Sequence, residues 1–161
     1  MLLPKYIFRK LTDISPEFLH AKGLSILLMD FDNTMLPYTK DVPPSELLQW
    51  AQNMDSSGIQ LCIVSNSKRS RVPEFSKAYG IPCVTHAKKP GSKGIRRALE
   101  NMGGSSAALV GDQIFTDVLG ANCSGITAIL VKPIDNHNIW LKLRHVLEQP
   151  FIALARKRRI T

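Results

Sequence analysis

Five short, largely apolar runs punctuate this chain, and they limit its possible folds more than any other feature. They lie at residues 24–29, 59–64, 81–85, 107–110 and 126–131. The first run is continuously apolar rather than alternating, which is typical of a strand covered on both faces. Helical stretches separate the runs, so we predict an α/β fold: a five-stranded parallel sheet, in the order 5-4-1-2-3, between two helical layers.

Helix signals fill the intervals between these runs. Ser15 and Pro16 have the pattern of a helix cap and first turn, and Gly23 can end that helix. Further helices are expected over residues 44–58, 70–79, 92–102, 115–122 and 138–147. We expect one domain over residues 1–161, with its core at 24–133 and a basic C-terminal tail at 150–161.

Positive charge is concentrated in two segments. The 21 Lys and Arg residues exceed the 13 Asp and Glu by eight. Residues 67–97 hold nine basic residues and one acid, and residues 156–159 hold four basic residues in succession. This distribution predicts a partner with negative charge, whether a phosphate, a nucleic acid or an anionic lipid.

Several classes of protein are excluded by simpler features. No apolar run approaches the roughly 18 residues that a membrane-spanning helix needs, and the N-terminus has no signal-peptide pattern. Cys62, Cys83 and Cys123 are widely spaced and predict neither a disulfide framework nor a zinc site. We expect a cytoplasmic protein.

Acidic and other polar residues follow the predicted strands. Asp30 and Asp32 follow the first, and Asp112 and Asp117 follow the fourth. The carboxyl ends of neighbouring parallel strands meet at one edge of the sheet, so both acidic pairs should converge there. Buried carboxylates require a compensating cation, and an all-oxygen set favours Mg²⁺. The alternative is that these acids only cap turns and a helix N-terminus.

The pattern resembles the haloacid dehalogenase (HAD) superfamily of phosphatases, and within its subfamily IIIA the small YqeG-type branch without a cap domain. The resemblance runs from about residue 3 to residue 133. It rests on four motifs: Asp30-x-Asp32-x-Thr34, Ser65 after the second strand, Lys89 before a helix, and Gly111-Asp112 with Asp117 downstream. Lys88 is an alternative to Lys89 as the motif lysine.

The resemblance implies a role for each motif residue. Asp30 would be the nucleophile that forms an aspartyl-phosphate, and Asp32 would be the general acid and base. Mg²⁺ would be held by Asp30, Asp112 and the backbone carbonyl of Asp32, with Asp117 acting through water or by orienting Lys89. The phosphoryl group would be bound by the remaining motif residues, which are Thr34, Ser65, Asn66 and Lys89.

The resemblance also bears on the substrate. Residues 31–58 leave no room for a cap domain, so the site should be open and suited to a phosphate presented by a large molecule. Phosphatidylglycerophosphate is one candidate, with the basic tail resting on the inner membrane face. An alternative is a basic domain that binds RNA or a ribonucleoprotein and has an idle phosphatase site; the basic window has few stacking aromatics to support it.

Overall fold

The fold is built on one sheet of six parallel strands. The structure is a computed structural model that describes residues 1–104, 106–135 and 139–158. The strands run in the order β1-β6-β5-β2-β3-β4. Their bounds are β1 Tyr6–Phe8, β2 Ile26–Met29, β3 Gln60–Val64, β4 Cys83–Val84, β5 Ala107–Gly111 and β6 Thr127–Val131.

The five predicted strands and their order are confirmed, but the predicted number of strands is wrong. The additional strand, β1, pairs in parallel with β6 at the edge of the sheet, with Tyr6 opposite Ile129 and Phe8 opposite Val131. β1 has only three residues, all half-buried. Its three apolar residues form a shorter run than the four- to six-residue runs that identified the other five strands, so this signal was missed.

Helices cover both faces of the sheet. Their bounds are α1 Pro16–Ala21, α2 Ser45–Ser56, α3 Arg71–Tyr79, α4 Ser92–Met102, α5 Leu119–Cys123 and α6 Ile139–Arg158. Ser15 caps α1 by accepting a hydrogen bond from the Phe18 amide at 3.1 Å. Gly103 ends α4 with a φ of +70°, a conformation that glycine adopts without strain.

The last helix is longer than the sequence predicts. The expected start at residue 138 lies outside the described residues, as does Arg159 of the basic tail. α6 does not end before Pro150 but continues through it to Arg158. Ile152 and Ala155 are buried, and the Phe151 ring packs edge-on against Phe115 at 6.1 Å between centroids. These contacts stabilise a helix that proline alone would interrupt.

Alternate residues of the strands face two separate cores. Leu27 and Met29 of β2 belong to a cluster that includes residues of α1, α2 and α3. Ile26 and Leu28 belong to a second cluster that includes residues of α4, α5 and α6. The result is the predicted three-layer α/β arrangement, in which the central strands are buried on both faces.

The region between β2 and β3 is short. It consists of the loop at residues 30–44 and helix α2. Among the described residues, no helix is both long enough and apolar enough to cross a membrane.

Candidate active site

Three carboxylates meet at the carboxyl end of the sheet. Asp30 follows β2, Asp112 follows β5, and Asp117 lies in a π-helical turn over Ile114–Val118. One oxygen from each lies within 4.8 Å of the other two, and all three residues are buried. Because β2 and β5 are paired in parallel, with Met29 opposite Val110, their carboxyl ends deliver the acids to the same place.

Lys89 completes this cluster. Its Nζ donates hydrogen bonds to Asp30 Oδ1 at 2.8 Å and to Asp117 Oδ1 at 2.6 Å. The Lys89 side chain is 1% exposed, whereas Lys88 is an exposed residue. The structure therefore brings Lys89, rather than Lys88, to the acids, and Asp117 orients it.

Asn66 holds the Lys89 backbone in place. Its Oδ1 accepts a hydrogen bond from the Lys89 amide at 2.7 Å, and its Nδ2 donates to the Lys89 carbonyl at 2.9 Å. Two bonds from one side chain fix the loop after β4 relative to the loop after β3. The resemblance implied a contact between Asn66 and the phosphoryl group and gave no indication of this side-chain role.

The cluster carries excess negative charge. Three ionised carboxylates and one ammonium leave two negative charges uncompensated in a buried space. Burial raises the pKa of Asp30 to about 7, with Asp117 adding to the effect and Lys89 opposing it. Burial and the neighbouring Asp117 also raise the pKa of Asp112 well above its ordinary value. Burial alone would lower the pKa of Lys89, but Asp117 and Asp30 outweigh it and raise that pKa.

This arrangement fits a divalent cation. Such an ion would neutralise the two excess charges, and hard oxygen donors are the ligands that Mg²⁺ and similar ions prefer. Within the part of the chain that the structure describes, the carboxylates of Asp30, Asp112 and Asp117 are close enough together to hold it.

Neighbouring groups fix the orientation of the acids. Thr34 Oγ1 donates to Asp112 Oδ1 at 3.3 Å, so the observed contact of Thr34 is to a carboxylate; its predicted contact with substrate stays a prediction. Asp117 Oδ2 accepts from the Gln113 amide at 3.1 Å. A Cβ at Gly111 would lie 2.2 Å from Asp117 Oδ2, so only glycine allows this approach without displacing the carboxylate.

Asp32 is separate from the three-acid cluster. Its Oδ1 accepts a hydrogen bond from Arg71 at 2.8 Å. Burial raises the pKa of Asp32, while Arg71 opposes the rise. The carboxylate lies outside the group of three, although its charge contributes to the raised pKa of Asp30. The metal ligand predicted at this position is the backbone carbonyl.

A small cleft of about 80 Å³ opens onto Asp30 and Asp32, whereas Asp112 and Asp117 do not line it. Its walls are formed by Asp30, Asp32, Tyr38, Ser65, Asn66, Ser67, Lys89, Gln113 and Thr116. Ser65 is 1% exposed, and its Oγ accepts from the Ser67 amide at 3.0 Å. Five predicted site residues, Asp30, Asp32, Ser65, Asn66 and Lys89, thus share one opening.

Two residues that support the site were missed from sequence. Arg71 was counted only as part of the basic segment, and nothing in its spacing distinguished it from the other cations. Glu148 of α6 is 2% exposed and accepts from the Ile114 amide at 2.8 Å, at the start of the turn that carries Asp117. Glu148 lies one residue beyond the helix predicted over 138–147, so no helix pattern pointed to it.

Known proteins resemble this chain over most of its length. The family model described as mitochondrial PGP phosphatase matches residues 1–135. The probable phosphatase YqeG of Bacillus subtilis is 34% identical over 159 residues, covering 96% of this chain and 92% of that protein. The chloroplastic phosphatidylglycerophosphate phosphatase 1 of Chlamydomonas reinhardtii is 29% identical over 147 residues, covering 83% of this chain and 54% of that protein.

A solved structure shares the fold at low sequence identity. A crystal structure from Streptomyces avermitilis, described as a HAD family hydrolase, is 15% identical with a TM-score of 0.53, covering 69% of this chain and 68% of that one. Nothing in these comparisons supports the RNA-binding alternative. The family match over residues 1–135 and the identity to YqeG show that this chain belongs to the PGP phosphatase family, as a YqeG-type phosphatase.

Proposed function

We propose that this phosphatase hydrolyses phosphate monoesters with Mg²⁺ as cofactor and through an aspartyl-phosphate on Asp30. The observation that carries the proposal is the position of Asp30: it faces the cleft, bonds Lys89, and lies beside Asp112 and Asp117. A phosphate ester repels an anionic nucleophile unless its charge is neutralised. Bound Mg²⁺ would supply most of that neutralisation, on Asp30, Asp112, Asp117 and the Asp32 carbonyl.

The chain's own residues would then carry the reaction in two steps. A carboxylate oxygen of Asp30 forms a bond to phosphorus as the ester P–O bond breaks, and Asp32 gives its proton to the departing oxygen. Asp32 next takes a proton from water, whose oxygen attacks phosphorus and releases phosphate and Asp30. Lys89 and the Ser65 hydroxyl stabilise the charge on the phosphoryl oxygens.

For the substrate, we propose a lipid phosphate such as phosphatidylglycerophosphate. The family description and the algal relative support this choice. So does the shape of the site, because the short connection between β2 and β3 leaves the cleft open. A phosphate on a large molecule can reach an open cleft without being enclosed.

Contact with an anionic membrane through α6 is part of the same proposal. Val146, Leu147 and Leu154 are exposed, at 63%, 59% and 47%, and their spacing places them on one side of the helix. Arg156 is exposed on the same helix, whose sequence continues with Lys157 and Arg158. Apolar and basic residues together are typical of helices that lie on anionic lipid surfaces.

A test of the substrate and cofactor uses purified protein and a panel of phosphomonoesters, with lipid phosphates presented in micelles. We expect Mg²⁺-dependent release of phosphate, fastest from the lipid phosphate, and no turnover by Asp30→Asn. Ser65→Ala removes one hydrogen-bond donor and should weaken transition-state binding by about 1–3 kcal/mol, which lowers kcat/KM. Absence of Mg²⁺-dependent turnover on every ester would contradict the proposal.

The membrane contact has its own test. Vesicles of anionic lipid should sediment the wild-type protein, and vesicles of zwitterionic lipid should not. Leu147→Glu places a negative charge on the exposed side of α6 and should reduce binding to anionic vesicles. Equal sedimentation of the variant and the wild type would count against α6 as the contact.

A further inference from the structure

Arg71 contacts the Asp32 carboxylate and is not among the residues that line the cleft. It is the first residue of α3, and its side chain is only 11% exposed. One guanidinium nitrogen, Nη1, donates to Asp32 Oδ1 at 2.8 Å. The guanidinium carbon lies 5.0 Å from the centroid of the Phe31 ring, within the range of a cation–π contact.

The same guanidinium holds the segment at residues 37–41. Nη2 donates to the carbonyl oxygens of Pro37, at 3.0 Å, and Lys40. Nη1 makes a longer bond of 3.4 Å to the Tyr38 carbonyl, and Nε lies 3.1 Å from Asp41 Oδ1. Tyr38 forms part of the cleft wall. One side chain therefore connects α3, the Asp32 carboxylate and a wall of the site.

Charge alone does not account for this geometry. A lysine would supply the same charge as a single point, whereas the planar fork of arginine directs several donors at fixed angles. Here the directions match one carboxylate and a series of backbone carbonyls that belong to a single loop. The cations besides Arg71 that act on the pKa of Asp32 are Arg69 and Lys89, and Lys89 is already bonded to Asp30 and Asp117.

We infer that Arg71 is a positioning residue for Asp32, which it holds at the mouth of the cleft together with the segment at residues 37–41. The inference rests on the proposed function, in which Asp32 protonates the departing oxygen. Arg71 acts on where the carboxyl group lies, and it takes no part in bond making or breaking.

Such a role has a distinctive kinetic signature. When the P–O bond breaks, an alkoxide leaving group needs the proton of Asp32, whereas p-nitrophenolate departs readily as an anion. Misplacing Asp32 should therefore slow an alkyl phosphate much more than p-nitrophenyl phosphate. The quantity to compare is kcat/KM, because it reports the steps up to phosphoryl transfer and is not affected by hydrolysis of the aspartyl-phosphate.

The experiment compares Arg71→Met with the wild type on glycerol 3-phosphate and on p-nitrophenyl phosphate. We expect kcat/KM to fall by roughly 10- to 100-fold for the alkyl ester and by less than about threefold for the aryl ester. Lys77→Met is the matched control, since it removes the same charge from an exposed position near the other end of α3 and should leave both values unchanged. An equal loss on the two esters would indicate a structural role and would overturn the inference.

A double-mutant cycle tests whether Arg71 acts through Asp32. In an Asp32→Asn background, Arg71→Met should cause no further loss on the alkyl ester, because the group that Arg71 positions no longer gives a proton. A full additional loss would mean that Arg71 acts on the substrate directly, and would also overturn the inference. Arg71→Lys should restore only part of the alkyl-ester activity, since it keeps the charge without the fork.

The outcomes separate this inference from the proposed function. If the wild-type protein, which retains Asp30 and Arg71, releases phosphate in the presence of Mg²⁺ from neither of these esters nor from any other ester of the panel, lipid phosphates included, the proposed function fails. If the wild type is active and Asp30→Asn is inactive, while Arg71→Met behaves like the wild type, only the inference about Arg71 fails.

Discussion

At the scale of single residues, the site is shaped by carboxylates that outnumber their cations. Lys89 bonds Asp30 and Asp117, whereas the bond to Asp112 comes from the neutral hydroxyl of Thr34. Without a metal ion, the protein therefore holds like charges close together in a buried space. That repulsion is a cost to folding, and it is also the source of affinity for a divalent cation.

Replacing one acid by its amide should relieve this repulsion. Asp112→Asn retains an oxygen that can accept from Thr34, and we expect it to raise the free energy of unfolding of the metal-free protein by about 0.5–2 kcal/mol. The same change should abolish the stabilisation that Mg²⁺ gives the wild type. Thermal melts of both proteins, with and without Mg²⁺, provide the measurement; a variant less stable than the wild type without metal would contradict this explanation.

Protons and Mg²⁺ should compete for Asp30, whose pKa is about 7 without metal. We expect Mg²⁺ affinity to fall as the pH drops below about 7, with proton release on binding. The folding stability of the metal-free protein changes with pH in the opposite direction, since it is greater at low pH. The pKa of Asp30 is about 7 in the folded protein and 3.8 in the unfolded chain, so the folded protein holds this proton more tightly. The stability that the proton gives is therefore complete below pH 3.8 and is lost as the pH rises through about 7.

Calorimetric titration with Mg²⁺ about one unit below and one unit above pH 7 measures this competition. Buffers with different ionisation enthalpies show the proton release directly, as a heat that changes with the buffer. Asp112→Asn is the negative control, because the loss of one carboxylate of the cluster should abolish Mg²⁺ binding and the proton release that accompanies it. Affinity that does not change with pH would show that Asp30 is already ionised.

At the scale of helices and strands, α6 reaches the site through one buried side chain. Glu148 accepts hydrogen bonds from the amides of Ile114 and Phe115, at 2.8 and 3.4 Å, where the turn that carries Asp117 begins. Helix α6 thereby fixes the π-helical turn that positions the Asp117 carboxylate. Residues 139–158 are thus joined to the catalytic end of the sheet rather than forming a separate tail.

Removing that acceptor should weaken both the fold and the site. Glu148→Ala leaves two amides without their acceptor, and we expect it to lower the free energy of unfolding by about 1–3 kcal/mol. Phosphatase activity should fall as well, because the turn that carries Asp117 is no longer held. Val146→Ala changes an exposed position on the same helix and should stay within about 0.5 kcal/mol of the wild type. Similar unfolding curves for the two variants would show that Glu148 does not anchor the turn.

The elements that were predictable from sequence are those with a local signal. Apolar runs identified β2 to β6, and the residues directly after them identified the acids, Ser65 and Lys89. β1 was missed because a three-residue edge strand forms by pairing with β6, which lies more than a hundred residues later. The contacts of Arg71 and Glu148 were missed for the same reason, since their partners are distant in sequence and only the folded chain brings them together.

At the scale of the whole molecule, parallel strands bring every loop of the site to one edge. Residues that follow β2, β3, β4 and β5 all line or support the same cleft. The chain as a whole has a formal charge of +8, although the cluster at its centre is negative. An approaching phosphate is therefore attracted over a long distance, and repulsion from the acids acts only close to the site.

This long-range attraction should be measurable through its dependence on salt. We expect kcat/KM to fall as ionic strength rises, and to fall more steeply for a substrate that carries a second phosphate group than for p-nitrophenyl phosphate. Asp41→Asn is not a suitable control because Asp41 contacts Arg71, whereas Glu74→Gln removes one negative charge at an exposed position of α3 and so raises the net charge by one. Equal salt dependence for both substrates would show that net charge has no role in their capture.

The pairing of β2 with β5 also has a consequence for biosynthesis. Thr34 and Asp112 are 78 residues apart, yet they share a hydrogen bond in the finished protein. While the ribosome has released only the part of the chain before β5, Asp30 lacks both of its carboxylate neighbours. A nascent chain at that stage therefore has no complete set of ligands for a divalent ion. Cation uptake becomes a late event, which follows the pairing of β5 with β2.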